Sequence, residues 1–261
     1  MPNSRDIDLS ALQNMPSKTK RQWRFLAETD STNAEISRRL AKHPPPEEGL
    51  IILADSQTDG KGRLGRTWHS APGTGVYIST LIRPNLTPEQ LPILTLMAGL
   101  ATVIAVNEFT TNHTQLKWPN DLLLNGKKIA GVLCEYYPKN IPAVIIGIGI
   151  NVNQTQFPAD IKEIATSLKL ETGEEINRTA LIKQLITQLD FQYSELKKHK
   201  VGTLIKNWTS HTDLFGKTIT LKKSIQSITG KAIRLDNLGR LVIVNESGEE
   251  TAFDSGEVRL G

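Results

Sequence analysis

Cysteine is almost absent from this chain, and long apolar runs are absent too. Cys134 is the single cysteine among 261 residues, which excludes an internal disulfide and fits a reducing compartment; its apolar neighbours predict a core position. The most apolar stretch, residues 91–106, is shorter than the roughly 20 residues of a membrane span. We therefore predict a buried helix there and no membrane partner. The N-terminus has acidic residues and no apolar run, unlike a signal peptide, so a cytoplasmic protein is expected.

Clusters that would hold a metal or a nucleic acid are also missing from the sequence. The five histidines are scattered without metal-ligand spacing, and neither a G-x-S-x-G nor an H-E-x-x-H motif occurs. The net charge is +4 and the pI is near 9.1, but basic and acidic residues are mixed along the whole chain. We predict no metal site held by the protein and no DNA partner. Any Mg²⁺ would arrive with the phosphates of a nucleotide.

The spacing of apolar residues predicts an α+β body followed by an all-β tail. Residues 1–22 are polar and are expected to extend along the surface. The Asn125-Gly126 pair between two apolar runs predicts a β-hairpin. The other predicted elements of the body are a short helix from Ser31 to Lys42, strands at 50–54, 76–82 and 143–151, and helices at 88–109 and 179–198. Closely spaced strands after residue 214 predict a small β-barrel, which places the domains at 1–211 and 212–261.

Residues 60–65, GKGRLG, match the G-x-G-x-x-G pattern of a dinucleotide-binding turn. A Rossmann fingerprint needs a helix directly after the loop, whereas HSAPGTG and a β-rich run follow here, so that interpretation fails. The glycines permit close approach to a ligand, and Lys61, Arg63 and Arg66 can donate charge-assisted hydrogen bonds to phosphate or carboxylate. Trp68 can stack on a base. The alternative is a solvated loop whose glycines only form turns.

Three further motifs contain residues that could contact a ligand. Residues 117–121, KWPND, either present polar groups at the end of a strand or form a turn into the hairpin. Lys128, in KIAG, is either an exposed hairpin residue or a cation aimed at an anionic ligand. Gly147 and Gly149, in GIGIN, share one face of a strand, which indicates close approach of a ligand or tight packing against a helix.

Taken together and in order, four motifs resemble those of the biotin protein ligases. They are STN at 31–33, GKGRLGRTW at 60–68, KWPNDLLLNGKKIAGVLCE at 117–135 and GIGIN at 147–151. The resemblance spans roughly residues 25–155, and the β-rich tail is similar to the small C-terminal domain of that family. It implies an α+β fold with a catalytic domain like that of the class II aminoacyl-tRNA synthetases, built on a central mixed sheet, plus a C-terminal SH3-like β-barrel.

The activity that the resemblance implies is that of a biotin–[acetyl-CoA-carboxylase] ligase, which works in two half-reactions. Biotin and MgATP give biotinyl-5′-AMP and pyrophosphate, and a lysine of a biotin carboxyl carrier protein of acetyl-CoA carboxylase then displaces AMP. Biotin carboxylate and ATP phosphates are both anionic, so their approach requires fixed cations. A glycine-rich loop that orders over the labile adenylate would exclude water.

The family's site residues carry over to positions of this chain. The implied biotin contacts are Ser31, Thr32, Asn33, Gln57, Gly60, Lys61, Gly62, Arg63 and Lys128, with Gly131, Gly147 and Gly149 lining the pocket for the ureido ring. The implied adenylate contacts are Arg66, Trp68, Asn120 and Asn151. Lys128, rather than Lys117, is the expected main electrostatic catalyst, together with Arg63.

Two departures from the family pattern and several alternatives remain. Lys61 stands where the family loop commonly has Arg, which keeps the charge but loses bidentate geometry. The catalytic motifs begin at Ser31, so we expect no room for the helix-turn-helix domain of the bifunctional members. The resemblance suggests a homodimer through the central sheet, with a monomer as the alternative. A lipoyl or octanoyl ligase and a non-enzymatic biotin- or nucleotide-binding module are the competing interpretations.

Overall fold

The computed structural model describes residues 6–16, 20–139, 141–223 and 226–260. Its α-helices are α1 (Leu9–Gln13), α2 (Thr32–Leu40), α3 (Pro92–Asn107), α4 (Leu168–Thr172), α5 (Arg178–Lys197) and α6 (Val201–Thr209). Its strands are β1 (Gln22–Thr29), β2 (Leu50–Gln57), β3 (Gly75–Ile82), β4 (Thr114–Lys117), β5 (Asp121–Leu124), β6 (Lys127–Tyr137), β7 (Ala143–Asn151), β8 (Thr218–Lys223), β9 (Gln226–Leu235), β10 (Leu241–Val244), β11 (Glu250–Phe253) and β12 (Glu257–Leu260).

The strands form a seven-stranded mixed sheet and a five-stranded antiparallel sheet. The larger sheet has the order β1-β2-β3-β7-β6-β5-β4, and only its edge strand β1 runs parallel to its neighbour. The smaller sheet has the order β11-β10-β9-β8-β12. This pairing of a mixed sheet and a small β tail confirms the predicted α+β fold class.

The two faces of the larger sheet have different roles. Ile146, Ile148 and Ile150 of β7 belong to the main core cluster, which also contains the buried residues of α3 and α5. Gly147 and Gly149 alternate with them and therefore lie on the opposite face, beside α2. The isoleucine side chains of β7 thus pack into the core on one face of the sheet. On the other face the glycines have no side chains, which leaves space above the strand.

The most apolar stretch forms the central core helix, as predicted. In α3, twelve of sixteen residues are buried, and the helix contacts both α5 and α6. The segment 88–107 is long and apolar enough to cross a membrane by length and composition alone, but 67% of it is buried within the protein. Its predicted start at residue 88 is corrected: Pro88–Gln90 forms a 3₁₀ turn with a capping box at Thr87, and the α-helix begins at Pro92.

The Asn-Gly hairpin is confirmed. Asn125 and Gly126 have φ angles of 49° and 81°, the left-handed values that a tight hairpin turn requires. The register between β5 and β6 then shifts between Leu122 and Leu123, because Leu123 pairs with Lys128 whereas Leu122 pairs with Ala130. This β-bulge sits next to Lys128, and bulges re-aim neighbouring side chains.

The described part of the N-terminal segment is not simply extended, and this expectation is wrong. Residues 9–13 form α1, whose Leu12 is fully buried. The guanidinium of Arg178, 1% exposed, donates hydrogen bonds to Asp6 Oδ1 at 2.6 Å and to Asp55 Oδ1 at 2.9 Å. These contacts attach the segment to the start of α5 and the end of β2. The polar composition of the segment does not predict these ion pairs.

Several other elements escaped prediction. Strand β1 and helices α4 and α6 were not predicted, and neither was β12. Ser31 occupies the N-cap position of α2, and its side chain makes no capping hydrogen bond. The chain leaves α6 at Thr209 and enters β8 at Thr218, the interval that contains the predicted domain boundary. The division into two domains at that boundary stays a prediction.

Candidate active site

A cleft of about 520 Å³ opens on the glycine-bearing face of the larger sheet, between the glycine loop, β6, β7 and the start of β12. This volume lies within the roughly 300–1,000 Å³ range of small-molecule sites. The cleft is lined by all but one of the predicted site residues: Ser31, Thr32, Asn33, Gln57, Lys61, Gly62, Arg63, Arg66, Trp68, Asn120, Lys128, Gly131, Gly147, Gly149 and Asn151. Gly60 is the exception. The structure therefore brings four separate sequence motifs to one place.

The glycine loop is a small hairpin. Its sides are joined by hydrogen bonds from Trp68 N to Gly60 O and from Gly62 N to Arg66 O, each 2.7 Å long. Its tip, Arg63–Gly65, is a 3₁₀ turn in which Leu64 has a φ of 58° and is 77% exposed. A bulky residue in this conformation is strained. The exposed tip beside the cleft suits a segment that changes position when a ligand binds.

Gly60 lies at the base of this hairpin and does not line the cleft. A Cβ atom at Gly60 would lie 2.4 Å from Trp68 O, so no side chain fits there. Its backbone thus allows the two sides of the loop to approach each other. The structure gives Gly60 a supporting position under the loop, and its predicted biotin contact remains untested.

Lys128 is held by a carboxylate at the floor of the cleft. Its Nζ lies 2.6 Å from Asp121 Oδ1 and 5.4 Å from the centre of the Trp68 ring. Both partners are partly exposed, at 32% for the lysine side chain and 24% for the aspartate. The ion pair with Asp121 and the aromatic face of Trp68 therefore hold the Lys128 ammonium group in position. Asp121 was noted in the sequence as a polar group but was not assigned a partner.

Arg63 is fixed by Asn120. Asn120 Nδ2 donates to Val132 O at 3.1 Å, so its Oδ1 faces the loop and accepts a hydrogen bond from Arg63 Nη1 at 3.1 Å. Burial lowers the pKa of Arg63 from its ordinary value, with Asp121 opposing this effect. Asn120, predicted to serve the adenylate, instead positions the loop arginine here, and a direct adenylate contact stays a prediction.

Trp68 fills the space that two of the glycines leave open. A Cβ at Gly149 would lie 2.4 Å from the indole Nε1, and a Cβ at Gly131 would lie 3.1 Å from Cζ3. The indole thus lies flat against the backbone of β6 and β7. Its Nε1 is buried and has no hydrogen-bond partner within the described residues. An unpaired buried donor is costly, so this atom is a candidate to contact a ligand.

Gly147 makes room for Asn33 of α2. A Cβ at Gly147 would lie 2.3 Å from Asn33 Oδ1, so the amide sits where a side chain would otherwise project from the strand. Asn33 is 4% exposed and is held by neighbours on both sides. Close approach by a helix residue, one of the two interpretations of GIGIN, therefore applies at Gly147. Contact of the glycines with a ureido ring remains a prediction.

A row of polar side chains runs from Asn33 along this end of the cleft. Ser79 Oγ lies 2.6 Å from Asn33 Oδ1 and 2.7 Å from Thr32 Oγ1. Gln57 Oε1 accepts a hydrogen bond from Thr32 N at 2.9 Å, and its Nε2 donates to Ser70 Oγ at 2.8 Å. These residues come from α2, β2, β3 and the segment between the two strands, and no sequence motif pointed to Ser79 or Ser70.

The second sheet reaches the glycine loop through an ion pair. Arg66 Nη2 pairs with Glu257 Oε2 at the first residue of β12. Lys61 is more loosely placed: its side chain is 53% exposed, and its Nζ lies 4.0 Å from Asp59 Oδ2. Arg66 and Lys61 are thus held differently. Arg66 is tied to the β tail, while Lys61 is free to turn toward an anion.

Asn151 and the segment after β7 close one side of the cleft. Asn151 Nδ2 donates to Thr166 O at 3.0 Å, and Lys128 N donates to Ile164 O at 2.7 Å. Asn151, predicted to contact the adenylate, therefore also holds the returning segment in place. That segment adds three apolar residues to the lining that sequence reasoning missed: Phe157, Ile161 and Ile164. They provide an apolar wall beside the cations.

The donor set of the cleft does not form a metal cage. Among the described residues, no group of three or more His, Cys, Asp or Glu side chains is placed to hold a metal ion. The carboxylate of Asp121 is already paired with Lys128. A divalent ion would therefore depend on ligands from a bound nucleotide.

The sequence matches the profile of the biotin/lipoate A/B protein ligase family over residues 25–153. The chain belongs to the biotin/lipoate A/B protein ligase family.

Similarity to individual proteins points to the biotin branch of this family. The chain is 36% identical to the bifunctional ligase/repressor BirA of Bacillus subtilis over 235 residues, which are 88% of this chain and 72% of that protein. It is 31% identical to the biotin–[acetyl-CoA-carboxylase] ligase of Mycobacterium tuberculosis over 244 residues, covering 91% and 88% of the two chains. The structure of a biotin protein ligase from Aquifex aeolicus in complex with biotin and ATP matches with a TM-score of 0.78 and 32% identity, covering 93% and 99%.

Proposed function

We propose that the protein is an ATP-dependent biotin–[acetyl-CoA-carboxylase] ligase. In the first step an oxygen of the biotin carboxylate attacks the α-phosphorus of ATP, the α–β phosphoanhydride bond breaks, and pyrophosphate leaves. In the second step the amine of a carrier-protein lysine attacks the acyl carbon of biotinyl-5′-AMP, and AMP leaves as the amide forms. The first step is a nucleotidyl transfer between two anionic groups, and the second is an acyl transfer to a neutral amine, which loses a proton as the amide forms.

The single observation that supports this function best is the position of Lys128. Its ammonium group lines the same cleft as Asn33 and the cations of the glycine loop, and it is held by Asp121. A carboxylate and an α-phosphate that approach each other repel, and a fixed cation between them lowers that repulsion. Lys128 is the assigned electrostatic catalyst, with Arg63 as the second cation.

The rest of the cleft divides into two ends. Thr32, Asn33 and Gln57 form the polar end that would hold the biotin ring, with Trp68 along its side. The loop cations and the apolar wall of the segment after β7 form the end that would hold the adenylate. Mg²⁺ would enter with the ATP phosphates, whose charge it reduces. The glycine loop, with its exposed tip at Leu64, would order over the adenylate and exclude water.

The acceptor is proposed to be the biotin carboxyl carrier protein of acetyl-CoA carboxylase, and the compartment to be the cytoplasm. A homodimer through the larger sheet, and the lack of DNA or membrane partners, stay predictions. The test is ATP–pyrophosphate exchange with purified protein, run in parallel with biotin, lipoate and octanoate, followed by avidin detection of a carrier domain. We expect exchange and labelling with biotin only. Exchange with lipoate or octanoate and none with biotin would contradict the proposal.

A further inference from the structure

Lys128 lies at the end of β6 that β7 does not reach. The strand begins at Lys127, but its register with β7 begins only at Ala130. Beside Lys128 the segment after β7 takes the place of the strand: Lys128 N donates to Ile164 O at 2.7 Å, and Thr166 N donates to Lys128 O at 3.0 Å. The segment after β7 therefore supplies both backbone partners of the proposed catalytic lysine.

Thr166 connects this segment to the carboxylate of Glu171 in α4. Thr166 is 2% exposed, and its carbonyl accepts a hydrogen bond from Asn151 Nδ2 at 3.0 Å. Its hydroxyl donates to Glu171 Oε1 at 2.6 Å. Because a carboxylate only accepts, the direction of this hydrogen bond is fixed. Every polar group of Thr166 is thus engaged, and its side chain points to Glu171.

The second carboxylate oxygen of Glu171 reaches the hairpin turn. Glu171 Oε2 accepts a hydrogen bond from Asn125 Nδ2 at 2.7 Å, and Glu171 O accepts from Asn112 Nδ2 at 2.8 Å. Asn125 is the left-handed residue of the turn between β5 and β6, just before Lys128 in the chain. The carboxylate therefore bridges two neutral donors, one from the hairpin turn and one from the segment after β7.

Both of the bridged segments line the cleft. Gly126 belongs to the hairpin turn, and Ile161, Ile164 and Ala165 belong to the segment after β7. Glu171 itself is not part of the lining. The contacts form a closed ring that runs from the carboxylate through the turn to Lys128, and back through Thr166. A group outside the cleft thus joins two of its walls.

We propose that Glu171 is a positioning residue for the nucleotide: by bridging Asn125 and Thr166 it holds the hairpin turn and the segment after β7 at the separation that ATP requires. This inference rests on the proposed function, which assigns the nucleotide to this end of the cleft. Without the carboxylate, water can satisfy both donors separately, and the two walls are no longer held together. Glu171 acts through Asn125 and Thr166 and does not itself touch ATP.

The test is steady-state kinetics with ATP and biotin, together with titration calorimetry of biotin without ATP. Glu171→Ala should raise the KM for ATP about fivefold to tenfold, the cost of losing the bridging hydrogen bonds. The kcat and the Kd for biotin should stay near their wild-type values, because Asp121 still holds the Lys128 ammonium group and the biotin end of the cleft is unchanged. Partial unfolding would instead lower kcat and leave the KM for ATP as it is.

Two further variants separate the bridge from the charge. Glu171→Gln keeps an oxygen for Asn125, and its amide can donate to the Thr166 hydroxyl, so its KM for ATP should stay within about twofold of the wild type. Thr166→Val replaces the hydroxyl by a methyl group and should raise the KM for ATP. Adding Glu171→Ala to Thr166→Val should weaken ATP binding no further than Glu171→Ala alone. The control is Glu174→Ala, an exposed glutamate in the loop after α4, which should match the wild type.

Three outcomes would overturn the inference. They are a wild-type KM for ATP in Glu171→Ala, full additivity of Glu171→Ala and Thr166→Val, and a loss in Glu171→Gln as large as in Glu171→Ala, which would show that charge rather than the bridge matters. A wild-type protein that activates lipoate or octanoate and not biotin would contradict the proposed function itself. Wild-type activation of biotin beside an unaffected Glu171→Ala variant would contradict only this inference.

Discussion

The ammonium of Lys128 lies 2.6 Å from the carboxylate of Asp121, across a hairpin whose register is shifted by a bulge at that point. The ion pair holds the proposed catalytic cation, Lys128, in the cleft before any ligand arrives. The charge of Asp121 also acts on Arg63, whose pKa it raises against the effect of burial. The ion pair therefore fixes the position of the Lys128 ammonium group and sets the net charge at this point of the cleft.

Asp121→Asn should reduce activity while leaving the fold intact. A neutral amide attracts an ammonium group less strongly, so Lys128 would sample other positions over the Trp68 ring. We expect biotin-dependent pyrophosphate exchange to fall about tenfold, the cost of one misplaced charged group. The unfolding midpoint should be unchanged, because the pair is partly exposed. Asp213→Asn, an exposed aspartate away from the cleft, is the matched control; equal rates in both variants would refute the role of Asp121.

Gly147→Ala should disturb both stability and biotin binding. The added methyl group would lie 2.3 Å from Asn33 Oδ1, and Asn33 is clamped by Ser79 and Glu135. Overpacking of this kind lowers the free energy of unfolding by about 1–3 kcal/mol. Urea unfolding and biotin titration measure the two effects.

The control for that substitution is Gly202→Ala in α6. No heavy atom lies within 4 Å of a Cβ built at Gly202, so the change should raise the free energy of unfolding by about 0.5–1 kcal/mol. A Gly147→Ala protein as stable as the wild type would show that Asn33 moves away at no cost.

Lys61→Arg should tighten the hold on the adenylate. Lys61 is half-exposed and only loosely near Asp59, so an arginine has room to present its planar fork to a phosphate. We expect biotinyl-5′-AMP to dissociate severalfold more slowly from the variant, with no change in unfolding temperature. Stopped-flow release of preformed adenylate measures this rate. Release as fast as in the wild type would show that the loop grips the intermediate through Arg63 and Arg66 alone.

The tie between Asp6 and Arg178 predicts a pH dependence of stability. Burial raises the pKa of Asp6, but hydrogen bonds and the charge of Arg178 outweigh it and hold the pKa below its ordinary value. A depressed carboxyl pKa stabilises the fold above the unfolded pKa of about 3.9, and this contribution is lost as the pH falls through the folded pKa. Asp6→Asn should therefore melt at a lower temperature than the wild type at pH 7.

That difference should shrink as the pH falls below about 3.9, where the unfolded carboxyl takes up a proton, and it should vanish once the folded carboxyl, whose pKa is lower, is protonated as well. Thermal unfolding of both proteins between pH 3 and pH 7 provides the comparison. A gap in melting temperature that is the same at both ends of this range would contradict the assigned ion pair.

Local patterns in the sequence predicted the elements whose causes are local. The Asn125-Gly126 turn, the apolar helix α3 and the alternation in β7 depend on residues close to one another in the chain, and all three are confirmed. Strand β1 escaped because it is an edge strand with a mixed burial pattern that lacks clean alternation. Helix α1 escaped because its stability comes from packing of Leu12 against distant residues.

Within the site, the motifs predicted which residues gather but not how they contact one another. Nothing in the sequence pairs Arg66 with Glu257, which is 191 positions away, and nothing places Asn33 over Gly147. The bulge beside Lys128 depends on how β5 and β6 pair, so the partnership with Asp121 was not readable either. These contacts are products of tertiary packing.

The measurement that tests the central claim most directly is biotin-dependent ATP–pyrophosphate exchange in Lys128→Ala, beside its neighbour Lys127→Ala. Lys127 is exposed at the start of β6, so its loss should leave exchange and stability unchanged. Loss of Lys128 should lower the exchange rate by about a hundredfold to a thousandfold, the cost of removing one preorganised charge from a transition state. Exchange at the wild-type rate in a folded Lys128→Ala protein would contradict the account.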